Sequence, residues 1–392
     1  MEIIFTGDFS SSGIFDKKIQ TRENIFDAAI LDVFKHSDYV HINLENPITN
    51  TDFINKKGIC LKAPPETAEY LKSYGVNICT LANNHIMDCG IIGLKDTISL
   101  LRKNEIEFYG IGGYDEYIIL EKDQLKIALI ASVHNEGPLW EGKDLAPFNF
   151  NLKQIKSIIE KIKFKENPDY IIYNYHGGTE FNIIPEPSRR SFFKKIIESG
   201  VDVVIGHHAH VPQGIEKYKN GIIVYGLGNF CFDITAHKNM AYTDKSFIIR
   251  FAFQKDKKIL FDKIFYSLNH EIGLIDCSSV SMMNVEVFEE LLQVFSDDSD
   301  YMYNWEKEAF RLYFGIHNFL DHQLDSKLIV ETNNLSLAKT SLTNTINTKR
   351  RSYGTLALPI LFVGKLYLDV IHVNIRPIMY GALRFLIRRD SR

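Results

Sequence analysis

The segment 201–210, VDVVIGHHAH, constrains this chain more than any other stretch. Val201, Val203, Val204 and Ile205 have the composition of a strand buried on both faces, and the run stops at Gly206 before three histidines in four positions. A buried strand of this kind delivers imidazoles to one end of a sheet. His208 and His210 stand two apart, which beyond a strand end lets both rings converge on one point or on two neighbouring points, as metal ligation requires. A polar turn would explain two histidines as simply, so the metal reading rests on what the other strands end in.

Five other expected strands also end in polar groups. Residues 2–6 are an apolar strand pattern broken by Gly7 and followed by Asp8. Residues 39–44 return to strand before Glu45-Asn46-Pro47, where the proline prevents continuation as a central strand. Residues 76–82 lead into Asn83-Asn84-His85, with Asp88 three positions further on. Residues 169–175 deliver His176-Gly177-Gly178-Thr179-Glu180, and 221–226 end at Leu227-Gly228-Asn229. Helical spacing at 24–34, 66–73, 91–103, 152–164 and 188–199 alternates with these strands, and 118–133 reads as two strands joined by a turn. Such alternation predicts a layered α/β domain with a largely parallel sheet at its centre. Ligands of open α/β sheets sit at the carboxyl ends of the strands. Asp8, Glu45, Asn84, His85, His176, His208 and His210 are therefore expected to share one site.

Carboxylate, amide and imidazole without thiolate suit manganese, iron or zinc better than an all-oxygen calcium site. Two carboxylates, one Asn and three histidines are too many for one tetrahedral ion but fit two divalent transition ions sharing a bridge. Such a pair clamps a phosphoryl oxygen and makes hydroxide available near neutral pH, which favours phosphoester hydrolysis. The five cysteines are an odd number at no metal-site spacing and read as free thiols of a reducing compartment. A formal charge of −4 carries no polyanion-binding signature, so nucleic acid is not an expected partner. The N-terminus enters a strand pattern at once without a signal-peptide profile, and cytoplasmic residence is the expectation.

Asp8 after a strand, Glu45 in NLENP, Asn84-His85 in LANNHIMDCG, His176 in HGGTEF and His208-Ala209-His210 in IGHHAHVPQG resemble the ordered blocks of the calcineurin-like metallophosphoesterases. Within that superfamily the chain looks most like the CapA branch, named for capsular poly-γ-glutamate synthesis. APPE at 63–66, Asp88-Cys89-Gly90 and GLGNFCFD at 226–233 strengthen the match, which covers roughly residues 1–253. The resemblance implies a layered sandwich of helices around central β-sheets. It makes Asp8, Glu45 and His210 ligands of one metal, with Glu45 bridging to a second held by Asn84, His176 and His208. His85 would protonate the leaving oxygen or stabilise the transition state, with Asp88 orienting it. His207 would pack beside the site, an exchange of roles with His208 remaining open. Glu180 and Asn229 are expected either to orient ligands from outside the first ring of contacts or to stabilise turns. Two departures stand out: Ser10 occupies the place of the superfamily's usual histidine, and the bridging carboxylate is Glu45 instead of the commoner Asp, as is typical of the CapA branch. Lys62, Arg189 and Arg190 are candidate contacts for an anionic small-molecule or polymer substrate, with plain surface solvation as the alternative.

The domain expectation is a CapA-like domain over 1–269, a helical extension over 270–331 with helices at 285–295 and 305–319, and a linker and basic amphipathic tail over 332–392. From Lys349 to Arg392 nine Lys or Arg face two Asp, a balance of +7 that leaves −11 on the preceding residues. Lys365, Asp369, Arg376 and Pro377 interrupt the apolar run at 353–387, against a membrane span. The tail fits either an anionic membrane surface, which would put the protein at the inner face, or a docking helix for the body or a polymer-synthase partner. The leading functional expectation is a metal-dependent phosphoesterase of capsule or other envelope-polymer synthesis. A non-catalytic scaffold of a polymer-synthesis complex and an amide hydrolase of γ-glutamyl polymer are the alternatives.

Overall fold

The computed structural model describes residues 1–54, 58–134, 144–238, 240–278, 285, 289–291 and 293–313. Two β-sheets form its centre. In the first, β1 (Glu2–Phe9), β2 (Tyr39–Leu44), β3 (Ile78–Thr80) and β4 (Glu107–Tyr109) run parallel. This sheet grows from β1 in the other direction by antiparallel pairing through β12 (Lys245–Phe253), β13 (Ile259–Asn269) and β14 (Leu274–Asp276), and β11 (Asn229–Cys231) also pairs with β1. The second sheet has the order β5 (Tyr117–Lys122), β6 (Leu125–Val133), β7 (Tyr170–His176), β8 (Val203–His207), β10 (Gly221–Leu227), β9 (Pro212–Tyr218). Its centre, β6 to β8 and β10, is parallel, while β5 and β9 close the edges as hairpin partners.

Helices cover the sheets. Along α1 (Ile14–Thr21), α2 (Ala28–His36), α3 (Thr67–Ser73) and α4 (Gly90–Lys103), Phe15, Ile19, Ile30, Phe34, Leu71, Leu94, Ile98 and Leu101 join one buried cluster with Ile4, Val40, Ile42 and Cys79 of the first sheet. The second sheet is flanked by α5 (Leu152–Glu166) and α6 (Pro187–Glu198). Local chemistry sets their starts: Asn151 and Gln154 form a capping box on α5, and Pro187 opens α6 with its fixed φ and missing N–H. Asp27 caps α2 through the Ala29 amide, so this helix begins four residues later than its apolar spacing predicts. The preceding Phe26 instead bridges to Ile275.

The architecture is the expected layered α/β sandwich, but its centre is two mixed sheets and not one largely parallel sheet. The parallel strands were legible because continuous apolar runs mark strands covered on both sides. Of the strands added to the first sheet, β13 and β14 pair with their predecessors as hairpins, whose short connections leave no helix to signal a crossover, while β12 pairs with the sequence-distant β1. The edge strand β9 begins at Pro212 and carries charge at its end, which reads as loop.

By internal contacts the chain divides into two units, Met1–Trp305 and Glu306–Arg392. The helix Asp298–Tyr313 contains that division and covers the described part of the helix expected at 305–319. Residues 286–288 and 292 of the helix expected at 285–295, the linker at 332–348 and the basic tail with its membrane or partner contact lie outside the described residues. Among the described residues no helix is long and apolar enough to cross a membrane. All five cysteines are free thiols.

Candidate metal centre

Register brings the strand ends together before any side chain is considered. Asp8 lies opposite Asn43 of β2 on one side and Asn229 of β11 on the other, while His176 of β7 lies opposite His207 of β8. The two sheets then meet through these ends, with His207 Nδ1 3.0 Å from Asp8 Oδ1. Beyond β8 the chain turns sharply, and His208 and His210 take positive φ values of 81° and 57°. Left-handed backbone is unfavourable for a side chain bearing a Cβ and persists where the surroundings impose it. Here the Asp8 carboxylate accepts the His208 amide at 3.0 Å, which holds the turn in place.

Asp8, Glu45, His176, His208 and His210 are all buried, and Asn84 is half-buried. His176 Nε2 is 2.8 Å from Asn84 Oδ1 and 3.9 Å from Glu45 Oε1, and His210 Nε2 is 3.7 Å from that same carboxylate oxygen. The donor atoms of Asp8, Glu45 and His176 lie within 4.8 Å of one another, and so do those of Glu180, His208 and His210. The split suggested by the resemblance places His210 with Asp8 and Glu45; here His210 Nδ1 is 3.5 Å from Asp8 and is also turned toward Asn229 Oδ1 at 2.9 Å. The ring centroids of His176 and His208 are 4.9 Å apart, so the two sets adjoin.

Burial would raise the Asp8 carboxyl, but the hydrogen bond and charge of His207, with His176 and His210 behind it, hold it well below the usual carboxylate range. Burial also pushes His176 well below the ordinary imidazole value and His210 down to about 4. Ionised carboxylate beside neutral imidazole is the protonation state that metal ligation demands. A divalent cation would compensate the fully buried charge of Asp8, and Glu45, buried beside it, offers a further oxygen donor, so the donor set fits one.

At the rim, His85 Nδ1 is 2.7 Å from Asp88 Oδ2, which also accepts the Leu61 amide at 2.7 Å. Asn83 accepts the amides of His85 and Ile86 and donates to the Leu44 carbonyl, tying this loop to the end of β2. Lys62 donates to the Thr51 carbonyl and lies 5.1 Å over the Phe53 ring. Arg189 is buried behind β8, donating to the carbonyls of His207 and Tyr225. Arg190 forks onto Glu216 at 3.0 and 2.8 Å and reaches Asp298 at 2.7 Å. The two arginines are therefore engaged in the frame of the second sheet.

Three polar residues at the site were not singled out in the sequence. Asn43 donates to Asp8 at 2.8 Å and lies 3.2 Å from His176 Nδ1; its position two before Glu45 was a usable signal, since alternate strand residues share a face. Asn83, quoted from the sequence only as a member of the Asn83-Asn84-His85 cluster and given no role, is the second. His237 stacks on Phe232, with its ring 4.4 Å from that of His210 and its Nδ1 3.4 Å from the Asn229 amide. It had no strand-end signal, because it arrives on the short helix Thr235–Lys238.

The capsule biosynthesis protein CapA of Bacillus anthracis is 34% identical over 218 residues, 51% of this chain and 51% of that protein. The PGA biosynthesis protein CapA of Bacillus subtilis is 29% identical over 58% of this chain and 62% of its own length. This chain thus spans between about half and three-fifths of the length of these two relatives. A crystal structure of a novel phosphatase from Mycoplasma pneumoniae superposes with a TM-score of 0.46 at 17% identity, covering 73% of this chain and 98% of that one. The family described as bacterial capsule synthesis protein PGA_cap matches residues 2–234, the part that carries all the candidate ligands at the strand ends, and the chain belongs to that family.

Proposed function

We propose that this chain is a metal-dependent hydrolase, a phosphoesterase in reaction type, that acts on an anionic substrate during synthesis of a capsule or related envelope polymer. The observation that carries this reading is the convergence of Asp8, Glu45, Asn84, His176, His208 and His210 from several strand ends into one largely buried cluster of donors. The CapA names of its relatives supply the polymer context. In this reading the calcineurin-like resemblance of the sequence blocks extends to two divalent transition ions, manganese, iron or zinc.

Bound divalent ions supply Lewis acidity toward a phosphoryl oxygen and a source of hydroxide near neutral pH. The chain's own groups do the rest. Asn43 and the His208 amide fix both oxygens of Asp8, and Asn229 occupies His210 Nδ1, leaving Nε2 as the nitrogen toward Glu45. Asp88 holds the His85 ring by Nδ1, so proton exchange with a leaving oxygen falls to Nε2.

The test is metal analysis of the purified chain together with hydrolysis of an aryl phosphate, an aryl phosphodiester and a γ-glutamyl amide. The expected result is bound transition metal and turnover of a phosphoester, with turnover lost and metal uptake reduced in Asp8→Asn. Metal-loaded protein that turns over only the amide would replace the phosphoesterase reading with the γ-glutamyl hydrolase one. A second reading, a non-catalytic accessory subunit, is favoured by Ser10 at a position where the superfamily carries an imidazole, and inertness toward all three substrates would select it.

A further inference from the structure

We propose that Glu180 is itself a metal ligand and, with His208 and His210, forms a second three-residue donor set beside that of Asp8, Glu45 and His176. The inference rests on the metal-centre reading above and deepens it. Glu180 lies in the loop after β7, where Gly177 and Gly178 take φ values of 155° and 111° and Phe181 takes 58°. That loop is fastened to the histidine turn. The Phe181 amide donates to the Ala209 carbonyl at 2.8 Å, at the residue between the two imidazoles. Gln213 Nε2 donates to the Asn182 carbonyl at 2.5 Å, and the Phe181 ring stacks on that of His210 at 6.0 Å.

Two loops held this way bring Glu180 Oε1 to 3.6 Å from His208 Nε2, and one donor atom from each of Glu180, His208 and His210 falls within 4.8 Å of the others. Donors about 2.1 Å from a tetrahedral ion stand about 3.4 Å apart, so little movement separates this geometry from ligation. Ligand number points the same way. The first sequence block offers Ser10 in place of an imidazole, and its buried hydroxyl has no hydrogen-bond partner among the described residues. A hydroxyl is a weak ligand for transition metals, and the Glu180 carboxylate adds a strong one to an imidazole pair. The competing role for Glu180 is an ion pair with protonated His208, which would leave metal uptake unchanged.

The two roles separate in a titration of the chelator-stripped full chain with zinc ion, read by calorimetry and elemental analysis, for wild type, Glu180→Gln and Glu180→Asp. Wild type is expected to take up two ions. Glu180→Gln should bind one with unchanged affinity and the second at least tenfold more weakly, with Glu180→Asp in between, while the metal-free proteins share one thermal midpoint. Two ions bound by Glu180→Gln with wild-type affinities would overturn the proposal, as would a single wild-type ion retained by that variant. No ion bound by wild type would defeat the metal-centre reading itself, a different outcome. Because uptake is the readout, the answer does not depend on knowing the substrate.

Discussion

The His85 imidazole and the Asp88 carboxylate, 2.7 Å apart and three residues apart in sequence, form a unit that can be tested apart from the metal donors. Asp88 is fully buried and also caps the Leu61 amide, so its position does not depend on His85. General acid–base catalysis by a positioned side chain contributes about 10² to 10⁴ in rate. His85→Asn is expected to lower kcat by about a hundredfold or more while bound metal stays at the wild-type stoichiometry. A parallel loss of metal would place His85 among the ligands. At this scale the sequence was informative about residue types and less so about partners. Asp8, Glu45, Asn84, His176, His208 and His210 could be named because each stands at or just beyond the end of an expected strand. That Arg190 grips Glu216 could not, because Glu216 lies on β9, whose Pro212 and Gly214 disguise it as a loop.

The element that aims the site is β8 with its turn, and its last glycine is fixed by close packing. A Cβ at Gly206 would collide with the Tyr225 carbonyl on β10 and with the guanidinium of Arg189, which itself donates to the carbonyls of His207 and Tyr225. Gly206→Ala must therefore spread β8 from β10 or displace a buried arginine, an overpacking change of about 1 to 3 kcal/mol. The expected outcome is a lower thermal midpoint together with weakened metal affinity, since His207 and His208 follow directly. Calorimetry on the metal-free protein and a zinc titration measure the two effects separately; a lower midpoint with intact affinity would mean that the turn is held by Asp8 and not by the strand. The run of apolar residues revealed β8, but the neighbour that requires a glycine at its end is 19 positions away and was beyond any local pattern.

Across the whole molecule the two sheets are joined by a buried polar chain: His41 Nε2 on β2 is 2.8 Å from Tyr109 Oη on β4, to which Asn174 of β7 donates at 2.7 Å. Burial, reinforced by the charge of His207, keeps His41 well below the ordinary imidazole value. Near pH 7 both the folded and the unfolded chain hold this ring neutral, so it adds little pH dependence. As pH falls below about 6.5 the unfolded chain takes up a proton that the folded chain refuses, and stability drops by up to about 1.4 kcal/mol per pH unit until the folded-state value is reached. His41→Gln keeps a side chain able to bond Tyr109 and removes the titration. Between pH 7.0 and 5.5 the variant should lose about 1 kcal/mol less than wild type in denaturant unfolding of the metal-free protein, whatever its stability at pH 7. Equal losses would mean that His41 is protonated inside the folded sandwich, with the contact between the sheets rearranged to receive the charge. The metal donors cannot produce that difference, because they are common to both proteins.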